Sequence, residues 1–405
     1  MKKICVVTAT RAEYGLLKNV IKEIHNDDEL ELVLAVTGMH LSQEFGLTVN
    51  EIEKDGFPIS EKIEILMNSD TPQSISKTMG IAMISFADFF SRNDIDALIV
   101  LGDRYELLAI CSCAMNEMIP IIHISGGETT EGAIDESIRH CLTKMSYLHF
   151  PSCEDYKRRI IQLGEYPDRV FNYGDVGVEN ILKSDLLSKN ELEESINFKL
   201  DCPYASITFH PVTLEISDVE RQCDELFEAL ETFSNMKFVF TKANSDAGGR
   251  VINHKIDVFV EKHRDKCVAF ASLGAKRYLS LLKYCEVVIG NSSSGIIEAP
   301  CFKKPTVNIG KRQAGRIKAE SIIDCDANKD EIIAAVNKAM SKSFKKTVVN
   351  SINPFSGYDT AKKIVNTTKA FLYNDKIDLR KKFYDLPKEC LNNENNRDNT
   401  SKKRL

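Results

Sequence analysis

Short apolar runs alternate along this chain with stretches in which apolar residues recur every three or four positions. Ile4–Thr8 is the first such run, and its length and β-branched content predict a strand. Leu16, Leu17, Val20, Ile21 and Ile24 then fall on one side of a helix. Leu32–Thr37, Ala97–Leu101 and Ile119–Ile124 repeat the strand signal, the last two separated by a helical segment from Glu106 to Met115. Strand–helix alternation of this kind predicts an α/β, doubly wound, parallel sheet. Sheets of that type bind ligands beyond the carboxyl ends of their strands.

The pattern restarts after the polar stretch Ser184–Asn190, which reads as an inter-domain connection. Ala205–Phe209, Phe238–Thr241, Val268–Phe270, Val287–Gly290 and Thr306–Ile309 are the strands of a second unit. The pattern thus divides the chain into a first Rossmann-like domain over 1–184 and a second over 185–365. A helical segment over 366–390 packs back on the first domain, and the Asn-, Lys- and Asp-rich residues 391–405 form a disordered tail. Two such domains with polar loops at their strand ends imply a cleft between them.

The polar residues at those ends are the candidate chemistry. Val287–Gly290 runs through Asn291, Ser292, Ser293, Ser294 and Gly295 into a short helix beginning at Ile296. That transition predicts unpaired backbone N–H groups and a positive dipole end, suited to a phosphate. Serines that merely cap a helix fit the same residues. Glu298 follows one turn later, and Lys311, Arg312 and Arg316 add a cationic cluster after the next strand. Arg11, where the first strand turns into a helix, can reach a phosphate or sit at the surface.

Gly102-Asp103-Arg104 ends another strand, with Asp103 a candidate base or a plain helix cap. Ser125-Gly126-Gly127-Glu128 ends the next, its glycines allowing close approach of a ligand. On a helix over the following residues, Asp135 and Arg139 lie four positions apart on one face, the spacing of an ordinary surface ion pair. His210 stands at a strand terminus of the second domain, and Asn244 among amide and glycine groups at another.

Composition narrows the ligand. The 405 residues carry a formal net charge of −6, without long basic runs, which disfavours nucleic acid or an anionic membrane as partner. No apolar segment approaches the roughly 20 residues of a membrane span. The twelve cysteines form no CxxC pair and read as reduced thiols of a cytoplasmic protein. No GxGxxG follows the first strand, so a dinucleotide fingerprint is absent.

Seven blocks in order, TRAEYG at 10–15, VTGMHL at 36–41, LGDRYE at 101–106, HISGGE at 123–128, IDESIRH at 134–140, FHPVT at 209–213 and GNSSSG at 290–295, carry a resemblance to a known family. The chain resembles, from residue 1 to about residue 375, the hydrolysing UDP-N-acetylglucosamine 2-epimerases of bacterial capsule type, which make N-acetylmannosamine for sialic acid synthesis. The resemblance implies two Rossmann-like domains facing a cleft, the GT-B-like arrangement of many glycosyltransferases, in a homodimer or homotetramer. It implies a UDP-sugar substrate and neither metal nor cofactor. Ser292, Ser293 and Gly295 would hold the diphosphate, Glu298 the ribose, and Arg11, Arg104, Asn244 and Arg312 would surround the nucleotide. Asp103, Glu128, Asp135, Arg139 and His210 would lie around the sugar. The implied reaction is anti elimination of UDP to 2-acetamidoglucal, then hydration, with Asp103 as base and His210 on the diphosphate side. UDP-2,4-diacetamido-2,4,6-trideoxyglucose, a non-hydrolysing epimerisation and a sensor without turnover are the alternatives. Many relatives carry a glutamate where this chain has Ser125, so the division of acid–base work differs here.

Overall fold

The computed structural model describes residues 1–67, 69, 71–129, 134–211, 218–243, 249–374 and 377–387. They divide into two compact units, Met1–Gly177 with the described residues from Gly357 onward, and Val178–Ser356.

In the first unit β1 (Lys2–Thr8), β2 (Leu30–Thr37), β3 (Ile59–Ile63), β4 (Ala97–Leu101), β5 (Ile121–Ile124) and β6 (Leu148–Phe150) form one parallel sheet in the order β3-β2-β1-β4-β5-β6. Every residue of β4 and β5 is buried, because helices cover both faces of the sheet. Strand β5 starts only at Ile121, since Pro120 has no N–H; its carbonyl still accepts from Leu98 at 2.9 Å.

One covering helix, Arg11–His25, begins with Thr10 accepting from the Glu13 N–H and buries Tyr14, Leu17, Val20, Ile21 and Ile24. On the opposite face, Phe86, Phe89 and Phe90 of the helix Pro72–Arg92 pack with ring centroids 5.4–5.8 Å apart. Each such ring contributes roughly 2–3 kcal/mol by leaving water. The chain returns to this unit through the helix Thr360–Tyr373, where Thr360 donates to the Tyr173 carbonyl at 2.8 Å. Residues 377–387 carry neither helix nor strand, and Lys381 Nζ donates to the Ser146 and Lys144 carbonyls at 2.6 and 2.8 Å.

The second unit repeats the winding. Strands β7 (Tyr204–Thr208), β8 (Lys237–Thr241), β9 (Cys267–Phe270), β10 (Val287–Gly290), β11 (Thr306–Ile309) and β12 (Ile322–Cys325) lie in the order β12-β11-β10-β7-β8-β9. The expectation of doubly wound parallel sheets therefore holds in both units. Residues 184–190 lie within the second unit, where Leu187 N–H donates to Ser280 Oγ at 2.9 Å and Ser188 caps the helix Lys189–Ile196. In each sheet the strand order reverses beside the first strand, between β1 and β4 and between β7 and β10. Those two crevices are where such sheets hold ligands. No helix among the described residues is long and apolar enough to cross a membrane.

Candidate active site

The first unit's cluster grows from the ends of β4 and β5. Gly102, at φ +81°, turns the chain out of β4 and delivers Asp103 just before the helix Tyr105–Asn116. The helix Ile134–Met145 brings Arg139 to it, and Arg139 Nη2 donates to Asp103 Oδ2. The arginine side chain is 7 % exposed and the aspartate 22 %. Arg139 also lies 3.9 Å from Glu136, one turn earlier, which in turn meets His140 at 3.1 Å. The ordinary surface pair that the spacing of Asp135 and Arg139 also allows gives way to this inward contact. The guanidinium turns inward to Asp103, because burying it requires a carboxylate partner there. Asp135 stands half-buried in the first turn of the same helix.

Gly126 and Gly127 serve packing here. A Cβ on Gly127, at φ +78°, would lie 2.5 Å from the Tyr156 carbonyl, and one on Gly126 would lie 3.0 Å from His123 and Thr143. The reading of these glycines as room for a ligand changes accordingly. Glu128 follows them half-buried, its Oε1 accepting from Ser152 Oγ at 3.0 Å. Ser125, between the strand and the glycines, adopts φ +61°.

At the β1–β4 reversal a second group appears that sequence reasoning missed. Glu13 is buried and accepts from the Ala9 N–H at 3.0 Å and from Thr10 Oγ1 at 3.2 Å. Glu106, also buried, accepts from Arg104 Nε at 3.0 Å. A glutamate three residues after a capping threonine, and another two after Arg104, were the available signals. Arg11 lies apart, 67 % exposed and 4.0 Å from Glu51.

Burial, and then the nearby Glu106 charge, push the Glu13 carboxyl up from 4.5 to about 7. The folded state then holds this proton more tightly than the unfolded chain. Its stabilising contribution is complete below about pH 4.5 and is lost as pH rises through about 7. The difference amounts to about 3 kcal/mol. Glu13→Gln, a neutral mimic of the protonated acid, should unfold several degrees above wild type at pH 8 and match it near pH 4. Thermal unfolding at both pH values checks this, and equal transitions at pH 8 would contradict it.

The second unit's cluster sits at the β7–β10 reversal. Asn291 ties the two strand ends together: its Oδ1 accepts from the His210 N–H at 2.7 Å and its Nδ2 donates to the His210 carbonyl at 2.8 Å. Its own carbonyl accepts from Gln313 at 2.9 Å and from Arg312 at 3.2 Å. Asn291 and Gln313 were not anticipated; a buried amide after a strand was the signal for the first. His210 and Arg312 are thereby held beside the serine loop.

The loop itself differs from expectation in one respect. Its helix begins at Ser294 and ends at Ile297, too short for a substantial dipole. The N–H groups of Ser294, Gly295 and Ile296 are bonded within the loop. Among the described residues, the backbone N–H groups of Ser292 and Ser293 have no such partner and remain for an anion. Ser294 donates to Glu298 and accepts from Tyr278 at 2.7 Å, so its hydroxyl proton is committed. Gly295 admits no side chain, since its Cβ would lie 2.7 Å from Thr306 Cγ2. Asn244 and the end of the FHPVT block lie outside the described residues.

Comparison with known proteins gives concordant results. The family model described as UDP-N-acetylglucosamine 2-epimerase matches residues 22–369. A GDP/UDP-N,N'-diacetylbacillosamine 2-epimerase (hydrolyzing) of Campylobacter jejuni is 44 % identical over 385 residues, covering 95 % of this chain and 99 % of the relative. Polysialic acid biosynthesis protein P7 of Escherichia coli is 41 % identical over 391 residues, covering 96 % and 99 %. The crystal structure of UDP-GlcNAc 2-epimerase from Neisseria meningitidis bound to UDP-GlcNAc superposes with a TM-score of 0.71 at 18 % identity, over 91 % of this chain and 99 % of that one. At that identity the likeness concerns the fold, which is GT-B-like.

Proposed function

The chain belongs to the UDP-N-acetylglucosamine 2-epimerase family, and from that premise we propose that it hydrolyses a UDP-linked 2-acetamido sugar with inversion at C2. The observation that carries the reading is Asp103, a carboxylate bonded to a buried guanidinium at the carboxyl ends of β4 and β5. Family membership makes the protein an enzyme; the residue roles that follow are part of the proposal.

Asp103 takes the C2 proton. The C1–O bond breaks with its electron pair going to UDP, and a C1–C2 double bond forms. Because the C2 proton is only weakly acidic, bond breaking at C1 runs ahead and positive charge builds on the ring. A carboxylate near that charge lowers the barrier. Water then supplies hydroxyl to C1 and a proton returns to C2 from the opposite face, so the sum is UDP-sugar plus water to UDP plus free sugar. Glu128 and Asp135 are the carboxylates assigned to the second proton transfer, in a chain where position 125 is serine. Ser292 and Ser293 receive the departing diphosphate with Arg312 and His210, Gly295 lets the loop pack closely on Thr306, and Glu298 takes the ribose. The reaction as written needs no metal or redox cofactor.

The sugar is the finer question. The name of the Campylobacter relative, which gives both GDP and UDP, supports N,N'-diacetylbacillosamine, a 2,4-diacetamido sugar, and the family description supports a UDP carrier and N-acetylglucosamine. The 44 % identity to that relative over 95 % of this chain favours the diacetamido sugar. Parallel assays of UDP release should give kcat/KM about tenfold higher for the diacetamido sugar, the scale on which one substituent is discriminated. A preference for UDP-N-acetylglucosamine would reverse the choice, and a product that keeps UDP would move the protein to the non-hydrolysing reaction.

A further inference from the structure

His123 is the third residue of β5, fully buried, and has no part in the chemistry above. Its Nε2 lies 2.7 Å from the Gly102 carbonyl, the group immediately before Asp103. A carbonyl only accepts, so Nε2 carries the proton. Burial pushes the imidazole down to about 3, which leaves the ring neutral at any working pH. Nδ1 is therefore bare and lies 3.2 Å from Thr143 Oγ1, whose single proton is shared between that nitrogen and the Arg139 carbonyl at 3.0 Å. Thr143 is buried one helical turn beyond Arg139, on the helix that supplies the Asp103 partner.

We propose that His123 is a positioning residue for Asp103: it fixes the Gly102 carbonyl on one side and, through Thr143, the helix that carries Arg139 on the other. The contacts close a ring. They run from His123 to Gly102, to Asp103, to Arg139, along one turn of helix to Thr143, and back to His123. A Cβ on Gly126 would come within 3.0 Å of both His123 Nδ1 and Thr143 Oγ1, so a side chain there would press on this contact. Gly102 has left-handed backbone, for which many orientations of its carbonyl are open, and the His123 bond selects one. A carboxylate that must meet a C–H proton in line loses rate steeply with misplacement. The inference rests on the role proposed for Asp103.

The test compares His123→Gln, whose amide nitrogen can stand where Nε2 stands, with His123→Asn, whose amide falls short of Gly102. His123→Asn should lower kcat about a hundredfold with KM and the Kd for UDP within about threefold of wild type, and His123→Gln should recover most of that loss. Thr143→Val, which leaves Nδ1 without its donor, should fall between them. The kcat pH profile of His123→Gln should keep the wild-type shape, because the ring does not titrate. Unchanged kcat in His123→Asn would overturn the proposal. So would a loss that His123→Gln does not recover and that accompanies lower thermal stability in both variants, the mark of a purely structural histidine. If wild-type protein turns over neither sugar nucleotide, the functional reading falls instead. The crystal structure of His123→Asn then decides the positioning claim: a rotated Gly102 peptide with Asp103 detached from Arg139 supports it, and an unchanged pair overturns it.

Discussion

Asp103→Asn is expected to lower kcat by about 10³-fold while the Kd for UDP stays within roughly threefold of wild type. Asparagine keeps the size of the side chain and one oxygen for the Arg139 guanidinium, so the loop after β4 retains its course. It cannot take up a proton, and it offers a dipole where a full negative charge faced the sugar ring. Both losses bear on the transition state and neither on the uridine diphosphate, so the effect belongs in kcat. The substitution also leaves a buried guanidinium with less compensation, at a cost of up to about 3–5 kcal/mol. Thermal unfolding beside the kinetics separates that cost from the chemistry. A variant that folds as wild type and turns over within about tenfold of it would remove Asp103 from the role of base.

The second large effect concerns the anion cradle. Gly290→Ala should abolish UDP binding by disrupting the second unit where the cradle is built. Gly290 has φ +136°, and a Cβ there would lie 1.9 Å from the Thr208 carbonyl. The obstacle is backbone, not a side chain that can swing aside. That same carbonyl accepts from the Asn291 N–H at 3.1 Å, and Gly290 pairs with Thr208 in the sheet. Relief requires β10 to part from β7, which pulls Asn291 from His210 and unseats Arg312 with it. The cost exceeds roughly 4 kcal/mol, in the range reserved for strain and overpacking at special backbone positions. Calorimetric titration with UDP and hydrogen exchange of β7 and β10 read the outcome. Wild-type affinity in the variant would mean that the serine loop is built independently of that strand pair.

Most of the doubly wound pattern was legible because interior parallel strands are apolar on both faces. β1, β2, β4, β5, β7, β8, β10 and β11 all announce themselves that way, and the edge strand β9 was legible from its apolar run Val268–Phe270. The three strands that escaped, β3, β6 and β12, lie at sheet edges. β3 reads Ile-Ser-Glu-Lys-Ile, half polar, because one face meets solvent, and β6 has only three residues. Candidate site residues were visible as polar residues that end an apolar run: Asp103, Glu128, His210 and Ser292 were all found so. Their partnerships were not visible. Spacing suggests Asp135 for Arg139, yet the arginine turns to Asp103, 36 positions away in the chain, and helical periodicity carries no information about such a contact. The Glu13–Glu106 group stayed hidden for a similar reason, since each glutamate reads alone as an ordinary first-turn helix residue. The serine loop invited a dipole argument that a helix of four residues does not support, and its capacity for an anion rests on two N–H groups and Arg312.

The central claim is that UDP leaves by elimination and that water completes the epimerisation. Proton and phosphorus NMR of the protein with UDP-N,N'-diacetylbacillosamine, and separately with UDP-N-acetylglucosamine, in deuterated water tests it most directly. The account predicts free UDP together with a free sugar inverted at C2 and carrying deuterium there. A sugar that remains joined to UDP, or one released with its original C2 proton, would contradict it.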